Sequence, residues 1–112
     1  MNLAEAKEYA KKNIHNRLQT EGRLAGKIAI VTGGAQGFGL GIAEEMYREG
    51  ASVVLADLND AQAKEAAKGL GERAVGLKVD VSDAASMEAM VCAAVEHFGG
   101  IDIFVSNAGV LK

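Results

Sequence analysis

The sequence predicts an α/β fold in which helices cover both faces of a parallel sheet. Three observations carry this prediction. From Lys27 onward, short β-branched runs of strand length alternate with longer stretches of helical apolar spacing, in the order β-α-β-α-β-α-β. Glycine, asparagine, aspartate or serine marks each switch, and these residues stop one helix or cap the next. Aromatic residues make up only 4% of the chain, so small and branched aliphatic residues must fill the core, as suits helices packed closely on a sheet. Buried strands alternating with helices call for parallel pairing and right-handed crossovers.

The elements follow in order. Leu3, Ala6, Ala10, Ile14 and Leu18 recur at helical spacing and predict an amphipathic helix from Leu3 to about Leu18, with Asn2 and Glu5 forming a capping box. Gln19 to Gly26 is polar, contains two glycines and reads as a linker. Residues 1–23 are therefore taken as an N-terminal helical extension with its linker, and 24–112 as the sheet-bearing domain. Lys27–Thr32 is a buried strand by length and content. The next helix runs from about Phe38 to Glu49, with Ile42, Ala43, Met46 and Tyr47 inward and Gly50 as its stop.

Ser52–Ala56 is the second strand and ends at Asp57. Asn59 or Asp60 caps a helix through Leu70, with Ala63, Ala66, Ala67 and Leu70 inward and Gly71 ending it. Arg73–Val79 is the third strand. Ser82 or Asp83 caps a helix to about Phe98 that turns Met87, Val91, Ala94, Val95 and Phe98 to the core, before Gly99 and Gly100 break it. Ile101–Val105 is the fourth strand. The expected strand order is 3-2-1-4.

Composition narrows the function. A chain of 112 residues fits one small domain, and 49% apolar with 24% charged residues is ordinary for a globular protein. The net charge of -3 argues against nucleic acid, which favours a basic surface. Cys92 is the single cysteine, which rules out an internal disulfide and suits a reducing cytoplasm. No apolar run approaches the roughly 18 residues of a membrane span, and the charged N-terminus does not resemble a signal peptide.

The densest signal is Thr32-Gly33-Gly34-Ala35-Gln36-Gly37-Phe38-Gly39, placed between the first strand and its helix. A pyrophosphate must be met by backbone N–H groups and the positive end of a helix, with no bulky side chains in the way. In such a site Gly33 lets the chain turn sharply, Gly37 lets the backbone approach the phosphates, and Gly39 lets the helix pack against the strand. The spacing is T-G-x-x-x-G-x-G, not the common G-x-G-x-x-G. Asp57 follows the loop by about 20 residues, as a ribose-binding acid does. A carboxylate there accepts from both ribose hydroxyls and repels the 2′-phosphate of NADP. Gln36, not Lys or Arg, holds the place in the loop that could offset it, so NAD is the expected cofactor. A bland reading leaves Asp57 capping its own loop.

From about Leu24 onward the chain resembles the N-terminal part of a short-chain dehydrogenase/reductase. The Thr-led glycine spacing is that family's pattern, Asp80-Val81 matches its Asp-Val pair, and Ser106-Asn107-Ala108-Gly109 matches its Asn-Asn-Ala-Gly motif with Ser106 in place of the first Asn. The resemblance implies a Rossmann-type domain and an NAD-binding role for Gly33, Ala35, Gln36, Gly37, Phe38, Gly39, Asp57 and Leu58. It extends that role to Asp80, on the adenine amino group, and to Val81. Asn107 would fix the central sheet and line the cofactor groove, with Ala108 and Gly109 close to the adenosine half. Phe38 replaces a usual aliphatic residue. The resemblance further implies hydride transfer between a nicotinamide cofactor and an alcohol or ketone, such as a polyol or sugar, and a homo-oligomer is expected from the apolar edge of the fourth strand.

Members of this family carry a catalytic Ser and a Tyr-x-x-x-Lys beyond the fourth strand, and neither occurs here. The tyrosines are Tyr9 and Tyr47, and Asn13 and Ala51 stand four positions on. The sequence given ends at Lys112, so no catalytic residue is assigned within it, and the resemblance implies that these residues belong beyond Lys112. The expectation is a cofactor-binding piece of a longer oxidoreductase, inactive by itself, whose apolar fourth strand would be left as an edge that invites self-association. The alternative is a non-catalytic dinucleotide-binding or interaction module. His15, Cys92 and His97 lack metal-ligand spacing. No Gly-Lys-Ser/Thr follows the loop, which excludes a P-loop NTPase. The Thr-led loop and the Asn-Ala-Gly end speak against methyltransferase-type adenosine binding.

Overall fold

A computed structural model describes residues 1–14 and 20–107. The element order is α1 (Leu3–Lys12), β1 (Ile28–Thr32), α2 (Gly37–Arg48), β2 (Ser52–Asp57), α3 (Asp60–Leu70), β3 (Ala74–Lys78), α4 (Ala84–Phe98) and β4 (Ile103–Val105). The four strands form one parallel sheet in the order β3-β2-β1-β4. The expected α/β architecture and strand order are therefore present.

β1 is central, and every one of its residues is buried. A strand covered on both faces needs apolar side chains in both directions, which is why Ile28–Val31 shows no polar alternation. On one face Ile30, Val54 and Ala56 pack with Val79 and with Met90 and Ala94 of α4. On the other, Val31, Val53 and Leu55 pack with Ala43 of α2 and Ala67 of α3. Small residues at the helix contacts bring the helices close. At Gly76 of β3 an added β-carbon would lie 2.4 Å from the backbone of Ala63, so α3 sits directly on that glycine.

β1 and β3 lose one residue at an end or at both, and α1 and β4 depart further from their patterns. α1 stops at Lys12, not near Leu18, because Asn13 closes it. The Asn13 N–H donates to Tyr9 and Ala10 carbonyls, and its side-chain amide donates to the Tyr9 carbonyl at 2.8 Å. Ile14, expected inward, is 54% exposed, as Leu3 is at 50%. Leu18 lies outside the described residues. The buried seam of α1 is Ala6, with Ala10 beside it, set against Cys92, Val95 and Ile101.

β4 begins at Ile103, not Ile101. Asp102 bonds Ile28 twice, through its own N–H to the carbonyl at 2.8 Å and through its carboxylate to the N–H at 2.9 Å. A side chain thus takes a ladder position that backbone would fill. The polar stretch before β1 is fastened to the end of α2. Thr20 Oγ1 donates to the Gly50 carbonyl at 2.6 Å, and the Leu24 N–H donates to the Glu49 carbonyl at 2.8 Å. Arg23 pairs with Glu49 at 3.0 Å, which raises the guanidinium pKa and lowers that of the carboxyl. No helix among the described residues is long and apolar enough to cross a membrane.

Candidate functional site

The carboxyl ends of the parallel strands all open on one edge of the sheet, and the described residues among those predicted for the site gather there. The turn after β1 begins at Gly33, whose φ of +66° is a left-handed conformation that favours glycine. Gly34 is buried behind it, with its N–H on the Ala56 carbonyl at 3.3 Å. Gln36 is extended and leads into α2. Gly37 also has a left-handed φ, +61°, and an added β-carbon there would meet nothing within 4 Å. The solvent side of the loop is open at Gly37 and closed at its back.

Gly39 forms that back wall. A β-carbon on it would stand 2.0 Å from the Gly33 carbonyl oxygen and 2.9 Å from Asn107 Nδ2. Its role is thus to let the first turn of α2 press on the loop itself, and the contact is with the turn more than with the strand.

α2 also differs from its neighbours at its start. α1, α3 and α4 are capped by the side chains of Asn2, Asn59 and Asp83, whereas α2 has no side-chain cap. Its leading N–H groups rest on an open glycine floor, where an anion can take the cap's place.

Asp57 ends β2 and ties two connections together. Its Oδ2 accepts from the Ala35 N–H at 3.1 Å, and its Oδ1 accepts from the Asn59 N–H at 3.1 Å. The carboxylate therefore does cap its own loop, and it also positions the glycine loop. Each oxygen keeps lone-pair capacity for a further donor. Asn107 brings in the end of β4. Its N–H donates to Thr32 Oγ1 at 2.9 Å, and its Nδ2 donates to the Gly33 carbonyl at 3.5 Å. Thr32 Oγ1 in turn donates to the Val105 carbonyl at 3.3 Å.

The family described as short chain dehydrogenase matches residues 27–112. The chain belongs to that family.

Galactitol 2-dehydrogenase of Agrobacterium fabrum is 47% identical over 88 residues, which are 79% of this chain and 34% of the relative. Oxidoreductase UcpA of Salmonella typhimurium is 46% identical over 93 residues, 81% of this chain and 35% of the relative. The 2,5-dichloro-2,5-cyclohexadiene-1,4-diol dehydrogenase LinX of Sphingobium indicum is 44% identical over 92 residues, 80% of this chain and 37% of the relative. The chain spans about a third of the length of the curated relatives it matches. The extension carrying α1 lies outside the part matched to the short chain dehydrogenase family.

Within this short chain dehydrogenase region, Asp80 follows β3 and takes a different arrangement from Asp57. Its Oδ1 accepts from both the N–H and the hydroxyl of Ser82, at 3.0 and 2.6 Å. These two bonds hold its carboxyl below the usual carboxylate range, and Lys78 adds to the effect. Phe38, Leu58 and Val81 are 82%, 64% and 41% exposed. They place apolar side chains in the first turn of α2 and in the connections after β2 and β3. Ala108 and Gly109, expected close to the adenosine half, lie outside the described residues.

Two participants had no assigned role from sequence. Thr32 is the hub joining β1 to β4, and a hydroxyl at the end of an otherwise apolar strand was its signal. Gln62 donates from Nε2 to Gln36 Oε1 at 3.0 Å, linking α3 to the loop. Its place three residues after the Asn59 cap was the available cue.

Proposed function

We propose that residues 24–112 form the NAD-binding part of an oxidoreductase that moves hydride between a nicotinamide cofactor and an alcohol or ketone, with residues 1–23 as an extension to it. One observation carries the reading: the uncapped start of α2 above the open glycine floor at Gly37, with Asp57 fixed beside it by Ala35. Uncapped N–H groups and the helix dipole suit a pyrophosphate, and the adjacent carboxylate suits ribose hydroxyls. These residues fit a dinucleotide. When bound, that cofactor supplies the hydride donor or acceptor. The chain's own residues bind and orient it.

The relatives support this reading through their names, which include a galactitol dehydrogenase and a diol dehydrogenase. A polyol, sugar or similar alcohol is the substrate class we favour. We assign the proton-transfer group to none of these residues. Tyr47 stacks under Arg73 near the far end of α2, with the guanidinium 3.9 Å from the ring centroid, and Tyr9 lies on α1. We therefore assign these 112 residues cofactor binding without turnover.

NAD is favoured over NADP because Asp57 brings negative charge to the ribose position and Gln36 brings no positive charge. Calorimetric titration with NADH and NADPH tests this. Tighter NADH binding is expected, and Asp57→Ala should narrow the gap by about ten-fold or more, the scale of one charge-assisted hydrogen bond. Tighter NADPH binding by the unaltered chain would overturn the assignment.

A further inference from the structure

The geometry points to Gln62 as a second determinant of the ribose substituent, closing the space that Asp57 guards; this rests on the reading of Asp57 as the ribose carboxylate. Gln62 stands in the first turn of α3, half-buried, with its Nε2 on Gln36 Oε1 at 3.0 Å. Its own Oε1 accepts from Asn59 Nδ2 at 3.3 Å. Asp57 accepts from Ala35 on one oxygen and from Asn59 on the other. Ala35 and Gln36 are neighbours in the chain. Asp57, Ala35, Gln36, Gln62 and Asn59 therefore form a closed ring that joins the glycine loop to the start of α3.

The chemistry of the ring is specific. It contains one carboxylate and three amide side chains, with no Lys or Arg. The lysine one turn along α3, Lys64, is paired with Asp60. A free 2′-hydroxyl adds a single donor, which Asp57 can accept while the ring stays shut. A 2′-phosphate adds negative charge and demands donors. Within the ring, one N–H of Gln62 Nε2 serves Gln36 and one N–H of Asn59 Nδ2 serves Gln62, which leaves each amide a single neutral donor. A phosphate seated between the glycine loop and α3 parts the Gln62–Gln36 bond, and the ring offers it only neutral amide donors and no cation. Asp57 thus discriminates by charge, and Gln62 by holding the ring closed.

The test is calorimetric binding of NADH and NADPH to the full chain and to Gln62→Ala, Gln36→Ala, the double variant and Asp57→Ala. Alanine at 62 keeps the backbone N–H that Asn59 Oδ1 caps at 3.0 Å, so the start of α3 is preserved. Gln62→Ala should strengthen NADPH binding by about three- to ten-fold relative to NADH, the scale of one neutral hydrogen bond. Gln36→Ala should act alike, and the double variant should add nothing, because both changes open one bond. A Gln62→Ala chain with an unchanged ratio, beside an Asp57→Ala chain whose ratio narrows, overturns the role of Gln62 and leaves that of Asp57. An unaltered chain that prefers NADPH or binds neither cofactor, or an Asp57→Ala chain that narrows nothing, removes both.

Discussion

At Gly39 an added β-carbon collides with the carbonyl of Gly33, a backbone atom that no rotamer change can move aside. Gly39→Ala is expected to lower stability by about 1–3 kcal/mol, the usual cost of overpacking, measured by urea unfolding. Gly37→Ala has open space but must adopt a left-handed φ, at a cost of about 1–2 kcal/mol. Its larger effect should fall on cofactor affinity. Asp80 supplies the pH-dependent case. Its folded carboxyl titrates below the ordinary value because of Ser82. Its contribution to stability is therefore fully present above the ordinary carboxylate pKa and is lost as pH falls through the lowered folded value. Ser82→Ala should move the Asp80 titration upward in a carboxyl-carbon NMR experiment. An unmoved midpoint would show that Ser82 is not the cause.

Among the elements, α1 has the most direct test. Ala6 and Ala10 bring it against Cys92 and Val95, and Asn13 lies beside Gly99, so the ends of α1 and α4 meet. Burial pushes the Cys92 thiol up. The thiol should react slowly with a disulfide reagent at neutral pH, and Ala6→Glu, which forces a charge into the seam, should speed the reaction by about ten-fold or more through local opening. An equal rate would mean that α1 does not shield the sulfur.

The same elements show what the sequence made legible. Strand identities, the Asn2 capping box and the stop at Gly71 follow from local chemistry and appear as expected. Asn59 and Asp83, each one of two cap candidates, are the residues whose side chains take the bond. The overextension of α1 arose because Ile14 continues the apolar period, whereas the Asn13 side chain ends the helix. Met90 was missed as a core residue because α4 is apolar on two sides, one toward the sheet and one toward α1. Nothing local marks Gly76 as the seat of α3, since that contact depends on how a helix lies over a distant strand.

At the scale of the molecule, the order β3-β2-β1-β4 puts the glycine loop at the centre of one sheet edge, where loops from both sides reach it. This follows from crossover rules and was readable from the alternation of elements. The loop and Asp57 were readable too, because glycine spacing and a strand-end acid are one-dimensional signals. The ring through Gln36, Gln62 and Asn59 was not, since its bonds join side chains from separate connections. The same holds for the Thr32 hub, whose partner Asn107 comes from the far end of the described chain.

That hub sets a timetable for biosynthesis. β1 leaves the ribosome early and soon acquires β2, but its other flank waits for residues 103–105. Until then a strand apolar up to Thr32 has an unsatisfied side, which is the kind of surface chaperones grip. The contacts from Asn107 to Thr32 and Gly33 cannot form before residue 107 has been made. The turn at Gly33 thus gains its support from β4 only after Asn107 has been made, even though its glycines were made long before.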